Sequence, residues 1–566
     1  MSEKTLEIVV IGGSAAGPKA AARARRLDMA ANITLIQKSA ELSMASCGYP
    51  YYVGGTFDDR NMLLSTPTGV TRDPGFFKKA KNLTALTRTE VTEIDRKNKQ
   101  VHCLDMESGE QRWVAYDKLI VCTGAVAKKP PIAGIEMDGV TNLMSIQDAD
   151  YLREIRDTKK IRRAVVVGGG LIGIETCEAL QLAGIEVTII EMLPQILTFL
   201  SADLSRLVAN HLQSRKVHVI RENGVAAFLG SDGKLTGVKL HNGTELPCEL
   251  AVVAIGVSPN TELARRADLE IGASGGIVVN EFMQTSDPQI YAAGDCVESQ
   301  HLVTGQKVHA PFGDLANLQG RVAGENCVKG NRARFKGTIQ TGICQVFDFA
   351  AGATGIDEQA ASEMGVEAET VINASTDKPG FMGGKLLVSK LIADRKSRRI
   401  LGYQSIGPGD VSKQIASASM AITGGLTIDD IAVADMPYAP PFSLAIDHFI
   451  ASAHIMQNKL DGTMDGVSAA YVKEKMCRQD APYLLDARGP DEYEQMRLGI
   501  GEVLIPLGAL RQRLNELPSD KSREIICFCK ISLRGYEASL VLKHAGYTNV
   551  KVMEGGIMAW SYPRER

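Results

Sequence analysis

The sequence predicts an α/β protein of several domains built around two dinucleotide-binding folds. Three observations carry that expectation. The chain has 566 residues, too many for one hydrophobic core. A strand–glycine turn–helix–strand pattern occurs near the N-terminus and returns roughly 150 residues later. Beyond Val467 a stretch of roughly 100 residues has its own α/β pattern and is long enough to fold alone.

The first pattern opens with the apolar strand Glu7-Ile-Val-Val-Ile11. The turn Gly12-Gly13-Ser14-Ala15-Ala16-Gly17 follows, then a helix to about Leu27 and a second strand, Ile33–Ile36. The second opens at Ala164, turns through Gly168-Gly-Gly170-Leu-Ile-Gly173, runs as a helix to about Leu182, and closes on the strand Val187–Ile190 before Glu191. Backbone N–H groups at each helix start can hold a pyrophosphate, and glycine permits the tight turn and close phosphate approach. A glycine pattern alone is weak and could be a plain connector; its place between strand and helix makes both signals strong. Glu191 can accept from ribose hydroxyls and repels a 2′-phosphate, and no arginine is adjacent, which favours NADH over NADPH. In the first turn Ser14 replaces the middle glycine and Gln37 the strand-end acid. Gln37 can still donate to a ribose hydroxyl, with Lys38 as a further nucleotide contact.

Further strands close on glycine at Leu119–Gly124, Leu250–Gly256 and Ile290–Asp295. From about Lys336 to Ser452 the pattern is mixed strand and helix, and Asn458–Gly466 is polar and glycine-rich, as a linker would be. Hydrophobic residues are 45% and charged residues 23%, as in soluble globular proteins. A net charge of −3 implies no attraction to nucleic acid or membrane surfaces. No apolar run can span a bilayer, and the polar start Met1–Leu6 does not resemble a signal peptide, so the expected location is cytoplasmic. The 11 cysteines are scattered, without zinc-type spacing, so no metal site and no disulfide framework are expected.

Two nucleotide folds, with Asp295 closing Ala292-Ala-Gly294-Asp295, resemble the two-dinucleotide flavoproteins of the glutathione reductase type over about Leu6–Ser452. The resemblance implies Rossmann-like domains. FAD would lie at Gly12–Gly17, Gln37, Lys38, Thr123, Gly124, Gly294 and Asp295, and NAD at Gly168, Gly170, Gly173, Glu191 and Gly256. The implied layout is an FAD-binding domain at 1–150 and 281–335 and a NAD-binding domain at 151–280. An α+β dimerisation domain at 336–455 and a linker at 456–466 follow.

Ser43-Met-Ala-Ser-Cys47-Gly-Tyr-Pro-Tyr-Tyr-Val-Gly-Gly55 follows the first fold. With no second thiol at disulfide spacing, Cys47 can form a mixed disulfide, a persulfide or a sulfenic acid. A helix N-terminus and a nearby flavin would favour its thiolate. The motif resembles the single-cysteine subgroup: coenzyme A-disulfide reductases, NADH-dependent persulfide reductases, and NADH oxidases and peroxidases. That resemblance implies coenzyme A contacts at Arg23, Arg26, Lys81 and Ser43; the plainer reading of these charges is a solvated helix face. Tyr438-Ala-Pro-Pro-Phe-Ser443 resembles a segment whose tyrosine enters the partner's active site in these homodimers; its plainer reading is a proline-rich interface turn. Two departures, Ser46 in place of asparagine and Asp377-Lys378-Pro379-Gly380 in place of a second tyrosine segment, count against a coenzyme A-disulfide substrate. Lys378 could still meet an anion or thiolate.

Leu484-Leu-Asp486-Ala-Arg488-Gly-Pro-Asp-Glu-Tyr493, Ile525–Gly535 and Met553–Trp560 resemble, in order, the motifs of rhodanese domains, here 467–566. Their resemblance implies a Cys529 persulfide in a nest of backbone N–H groups, with Arg534 adding positive charge. Cys527 reads as core, with a resolving role as the alternative. The whole chain then reads as an NADH-dependent flavoenzyme that reduces persulfide, polysulfide or coenzyme A persulfide or disulfide bonds at Cys47, while Cys529 carries sulfane sulfur. The alternatives are an NADH oxidase or peroxidase and a non-enzymatic redox sensor.

Overall fold

The computed structural model describes residues 4–478 and 480–565. Residues 1–3 of the polar start, and 479 and 566 of the C-terminal module, lie outside the described residues. The chain divides into two compact units, one of residues 4–192 and 223–338, the other of 193–222 and 339–565.

The first unit holds both nucleotide folds. In one sheet the strands run Ile290–Ala292, Lys118–Val121, Glu7–Ile11, Asn32–Ile36 and Thr84–Leu86, all parallel. In the other, Arg163–Val167 lies between Glu186–Ile190 and Leu250–Val253. The nearly unbroken apolar runs are those of strands covered on both faces; Val10, Leu35, Leu119 and Ile120 are fully buried. The expected elements start within one residue of the observed ones. Three strands stop earlier than expected, at Val121, Val253 and Ala292. Their last residues peel away at Gly124, Gly256 and Gly294, all with positive φ. The peeling opens the carboxyl edge of each sheet, where ligands of such folds sit.

Two helices cross behind the first turn, Ala16–Leu27 and Gly313–Lys329. They touch backbone to backbone. A Cβ at Gly320 would lie 2.3 Å from the Ala16 carbonyl oxygen, and one at Gly324 the same distance from that of Ala20. Gly17 is equally constrained, since its Cβ would meet the Gly12 oxygen at 1.8 Å.

The second unit contains an antiparallel sheet in the order Gly342–Val346, Phe349–Gly355, Ile400–Gly407, Leu386–Asp394, Ala368–Thr376. Beside it lies a parallel sheet in the order Gly466–Val467, Val550–Met553, Ile525–Phe528, Tyr483–Asp486, Val503–Leu504. The expected linker is not a tether. The helix His448–Leu460 runs into it, Met456 and Met464 are buried, and Gly466 already belongs to a strand. The physical reason is Lys459, whose ammonium contacts Glu369 at 3.1 Å and Glu554 at 2.7 Å, joining the two sheets. Glu554 also accepts the Ile372 N–H at 2.9 Å. A second contact comes from residues 193–222, where Asn210 donates to the Ser561 carbonyl at 2.8 Å and the Arg206 guanidinium lies 4.5 Å from the Tyr562 ring. Replacing Lys459 with Met strands two carboxylates that are largely shielded from water. It should lower unfolding stability by about 3 kcal/mol, as a shift in the denaturant midpoint of the second unit will show.

Candidate active sites

Each glycine turn is built the same way. The first glycine has positive φ, +104° at Gly12 and +108° at Gly168. A Cβ there would strike the backbone of Cys122 or Ala254 on the neighbouring strand. The strand-end side chain closes each turn: Gln37 Oε1 accepts the Gly13 N–H at 2.7 Å, and Glu191 Oε2 accepts the Gly169 N–H at 2.8 Å. The amide at position 37 thus keeps the bond that an acid makes at 191. Its Nε2 donates one N–H to Ser39 at 2.7 Å, which leaves its second N–H for a ribose hydroxyl. Lys38, expected at the nucleotide, pairs with Glu90 at 2.8 Å on the surface. Ser14 is exposed, while Ala16 and Gly17 are buried under the turn.

Around the opened edge, Thr123 donates to the Asn260 carbonyl at 2.6 Å, and Asn260 returns its N–H to Gly124 at 2.9 Å. Gly294 donates to buried Gln319 at 2.8 Å, and His309 Nε2 lies 2.8 Å from the Asp295 carbonyl oxygen. Burial pushes the Asp295 carboxyl up, partly offset by His309. Asn260, Gln319 and His309 were not legible in the sequence, because no motif marks residues that act through main-chain carbonyls and N–H groups.

Cys47 lies in the single turn Ser46–Gly48, ahead of the short helix Tyr49–Gly54, and is exposed. Its Sγ sits 3.4 Å from where a Cβ on Gly313 would be, at the start of the helix Gly313–Lys329. The expected thiolate bias is not what the protein itself supplies. Desolvation by the surrounding protein, followed by the charges of Glu175, Asp295 and Asp314, pushes the thiol up, and its backbone hydrogen bond only partly opposes them. Glu175 accepts from the Tyr51 hydroxyl at 2.9 Å, which fixes its carboxylate.

Of the residues expected at coenzyme A, Arg23 is tied to Glu325 by bonds of 3.0 and 2.5 Å. It clamps the two crossing helices and is not a solvent-facing cation. Arg26 is exposed, Ser43 is half-buried with φ +54°, and Lys81 lies over the Phe76 ring. Tyr438 and Phe442 are exposed on a loop anchored by Ser443, which donates to Asp447 at 2.9 Å, and by the 2.6 Å Lys413–Asp447 pair. Lys378 is half-buried.

Cys529 follows the strand Ile525–Phe528 and precedes the helix Leu533–His544. Its carbonyl accepts from Ile557 N–H at 3.0 Å, and Ser532, with φ +86°, donates to the Met553 carbonyl at 3.0 Å. Arg534 reaches the Cys529 sulfur, but two of its N–H groups are held by Glu492 at 2.6 and 2.8 Å. Its charge is therefore balanced, where the sequence promised an added positive charge. Cys527 is fully buried in the module's core, and burial pushes its thiol up. Asp486 and Arg488 form a buried 2.6 Å pair that closes the loop after their strand.

Residues 6–310 match the family model of pyridine nucleotide-disulphide oxidoreductases, 342–449 that family's dimerisation domain, and 468–562 the rhodanese-like domain. The chain belongs to the pyridine nucleotide-disulphide oxidoreductase family. A solved NAD-dependent persulfide reductase from A. fulgidus superposes with a TM-score of 0.93 at 43% identity, covering 98% of this chain and 100% of that one. A Pyrococcus horikoshii protein named NAD(P)H coenzyme A polysulfide/persulfide reductase is 32% identical over 80% of this chain and 98% of its own length. A Methanocaldococcus jannaschii protein named NADH oxidase is 32% identical over 80% of this chain and 99% of its own.

Membership in this oxidoreductase family implies FAD and a nicotinamide dinucleotide. The residues present fit both groups. The glycine turns offer backbone N–H groups at helix starts, and the space in front of Gly124, Gly170 and Gly256 is open. Asp295 provides a carboxyl at the sheet edge in the first fold, and Glu191 one at the strand end in the second. Among the described residues, no group of three or more His, Cys, Asp or Glu is placed to hold a metal ion, and no helix is long and apolar enough to cross a membrane. All 11 cysteines are free. Replacing Glu175 with Gln removes the largest charge that raises the Cys47 thiol. The pH profile of Cys47 alkylation should then move to lower pH, measured on the Cys47 peptide with Cys47→Ser as background.

Proposed function

We propose that this oxidoreductase uses NADH to reduce persulfide and polysulfide sulfur–sulfur bonds at Cys47, with Cys529 as carrier of sulfane sulfur. The observation that carries the reading is the pairing, in one chain, of an exposed thiol at the flavin-type sheet edge with a rhodanese loop built around a second thiol. Bound FAD supplies the two-electron relay between nicotinamide and sulfur. Cys47 Sγ attacks the sulfur–sulfur bond of R–S–SH, one sulfur leaves, and the other stays on Cys47 until two electrons release it. The net reaction is RSSH + NADH + H⁺ giving RSH, H₂S and NAD⁺. The Tyr438 phenol of a partner subunit would be a proton donor for the departing sulfur.

The Glu191 carboxylate at the strand end favours NADH over NADPH, because it would repel a 2′-phosphate. A coenzyme A carrier fits Arg26, Ser43 and Lys81 better than Arg23, which Glu325 already neutralises. The exposed Tyr438, Phe442 and Ile446, beside a dimerisation domain, support a homodimer. Eleven free cysteines suit the reducing cytoplasm. The oxidase reading shares the single cysteine but gives the rhodanese module no task.

The test is anaerobic NADH oxidation by the FAD-loaded protein with coenzyme A persulfide, polysulfide, coenzyme A disulfide and peroxide. Sulfide release from the persulfides is expected, falling at least about a hundredfold in Cys47→Ser. Turnover with peroxide or oxygen alone would assign the oxidase chemistry instead.

A further inference from the structure

The rhodanese loop poses a question of charge. A sulfonate-type donor such as thiosulfate carries two negative charges and must shed water to reach a thiolate. It needs cations whose charge is not already spent. Arg534 is the guanidinium at Cys529, and both of its terminal nitrogens donate to Glu492, at 2.6 Å to Oε2 and 2.8 Å to Oε1. Glu492 is fixed from behind, because it also accepts the Gly489 N–H at 3.2 Å while its own carbonyl accepts from Arg488 at 3.0 Å. Arg534 holds the Glu492 carboxyl down at about 2, so it is ionised at any physiological pH. Asp486 cancels Arg488 in the same manner. Lys530 is exposed, and an ammonium surrounded by water is a weak anchor. Beside Cys529 the loop presents apolar surface, with Leu533 61% exposed and Ile531 half-buried. The Ser532 hydroxyl is turned away to Met553.

We propose that Glu492 sets the donor class of the rhodanese site: by neutralising Arg534 it leaves the loop no cation but the water-exposed Lys530 for a sulfonate, so Cys529 takes sulfane sulfur from organic persulfides and not from thiosulfate. The proposal rests on the reading of Cys529 as a sulfur carrier. The step is Cys529–S⁻ + R–S–SH giving Cys529–S–SH + RS⁻. The S–S bond of the donor breaks, a new one forms on Cys529, the proton stays on the transferred sulfur and the electron pair leaves with RS⁻. A persulfide brings at most one negative charge, and its organic part can lie on Leu533 and Ile531. The released thiol needs no sulfonate pocket.

The experiment uses the full-length FAD-loaded protein without NADH and follows persulfide on the Cys529 peptide by mass spectrometry. The donors are thiosulfate and glutathione persulfide. Wild type should load from the persulfide at least about tenfold faster than from thiosulfate, the worth of one charge-assisted bond. Glu492→Gln keeps the shape and an acceptor for Gly489 while freeing the Arg534 charge. It should raise the thiosulfate rate about tenfold and leave the persulfide rate within about twofold. Equal loading of wild type from both donors, or an unchanged thiosulfate rate in Glu492→Gln, overturns the proposal. Should that variant fail to fold, the salt dependence of wild type decides. A neutralised site should give a thiosulfate loading rate that salt changes by less than about twofold, and a rate that falls steeply with salt, as attraction to an unspent cation requires, is the contrary result. No persulfide on Cys529 from either donor would remove the carrier reading itself, a different outcome from loading without discrimination.

Discussion

The close crossing of the helices Ala16–Leu27 and Gly313–Lys329 is the contact on which the first unit depends. Gly320 and Gly324 lie four residues apart and face the carbonyl oxygens of Ala16 and Ala20, also four apart, with no room for a side chain. The i and i+4 spacing puts each pair on one helix face. One crossing therefore fixes two helix starts at once. The start of one forms the first glycine turn, and the start of the other lies against Cys47. The Arg23–Glu325 pair clamps the far side of this contact. An arginine that resembles a ligand anchor thus serves the scaffold, because an ion pair shielded by two helices is worth more than one in water.

The second unit uses one segment for two purposes. Met553–Tyr562 backs the Cys529 loop through Met553, Ile557 and Met558, and the same stretch meets the antiparallel sheet through Glu554 and the helix Ala202–Ser214 through Ser561 and Tyr562. A domain attached only by a polar linker would reorient freely. Here Lys459 fills the join and ties the segment behind the Cys529 loop to the dimerisation domain.

Both candidate thiols, Cys47 and Cys529, sit in surroundings whose charges the sequence does not reveal. Around Cys47, desolvation by the surrounding protein pushes the thiol up, and the acids Glu175, Asp295 and Asp314, from three separate stretches, push the same way. Near Cys529 the Arg534 guanidinium is balanced by Glu492, 42 residues earlier. In each case the net field, and not the nearest motif residue, sets what the sulfur will meet.

The sequence by itself determined the nucleotide folds, the order of the three modules and the two cysteines, because those features rest on local spacing. A strand, a glycine turn and a helix must be contiguous to make a phosphate cradle, and a rhodanese loop is contiguous around its thiol. The tertiary structure alone decided which charges are spent. Gln37 turned inward to Gly13, Lys38 outward to Glu90, Arg23 to Glu325 and Arg534 to Glu492. It also converted the apparent linker into a helix end locked by Lys459. An ion pair forms between groups that folding brings within a few ångströms from distant positions, and no local pattern records that distance. Motifs mark the candidate groups, whereas burial and long-range pairing set their charge.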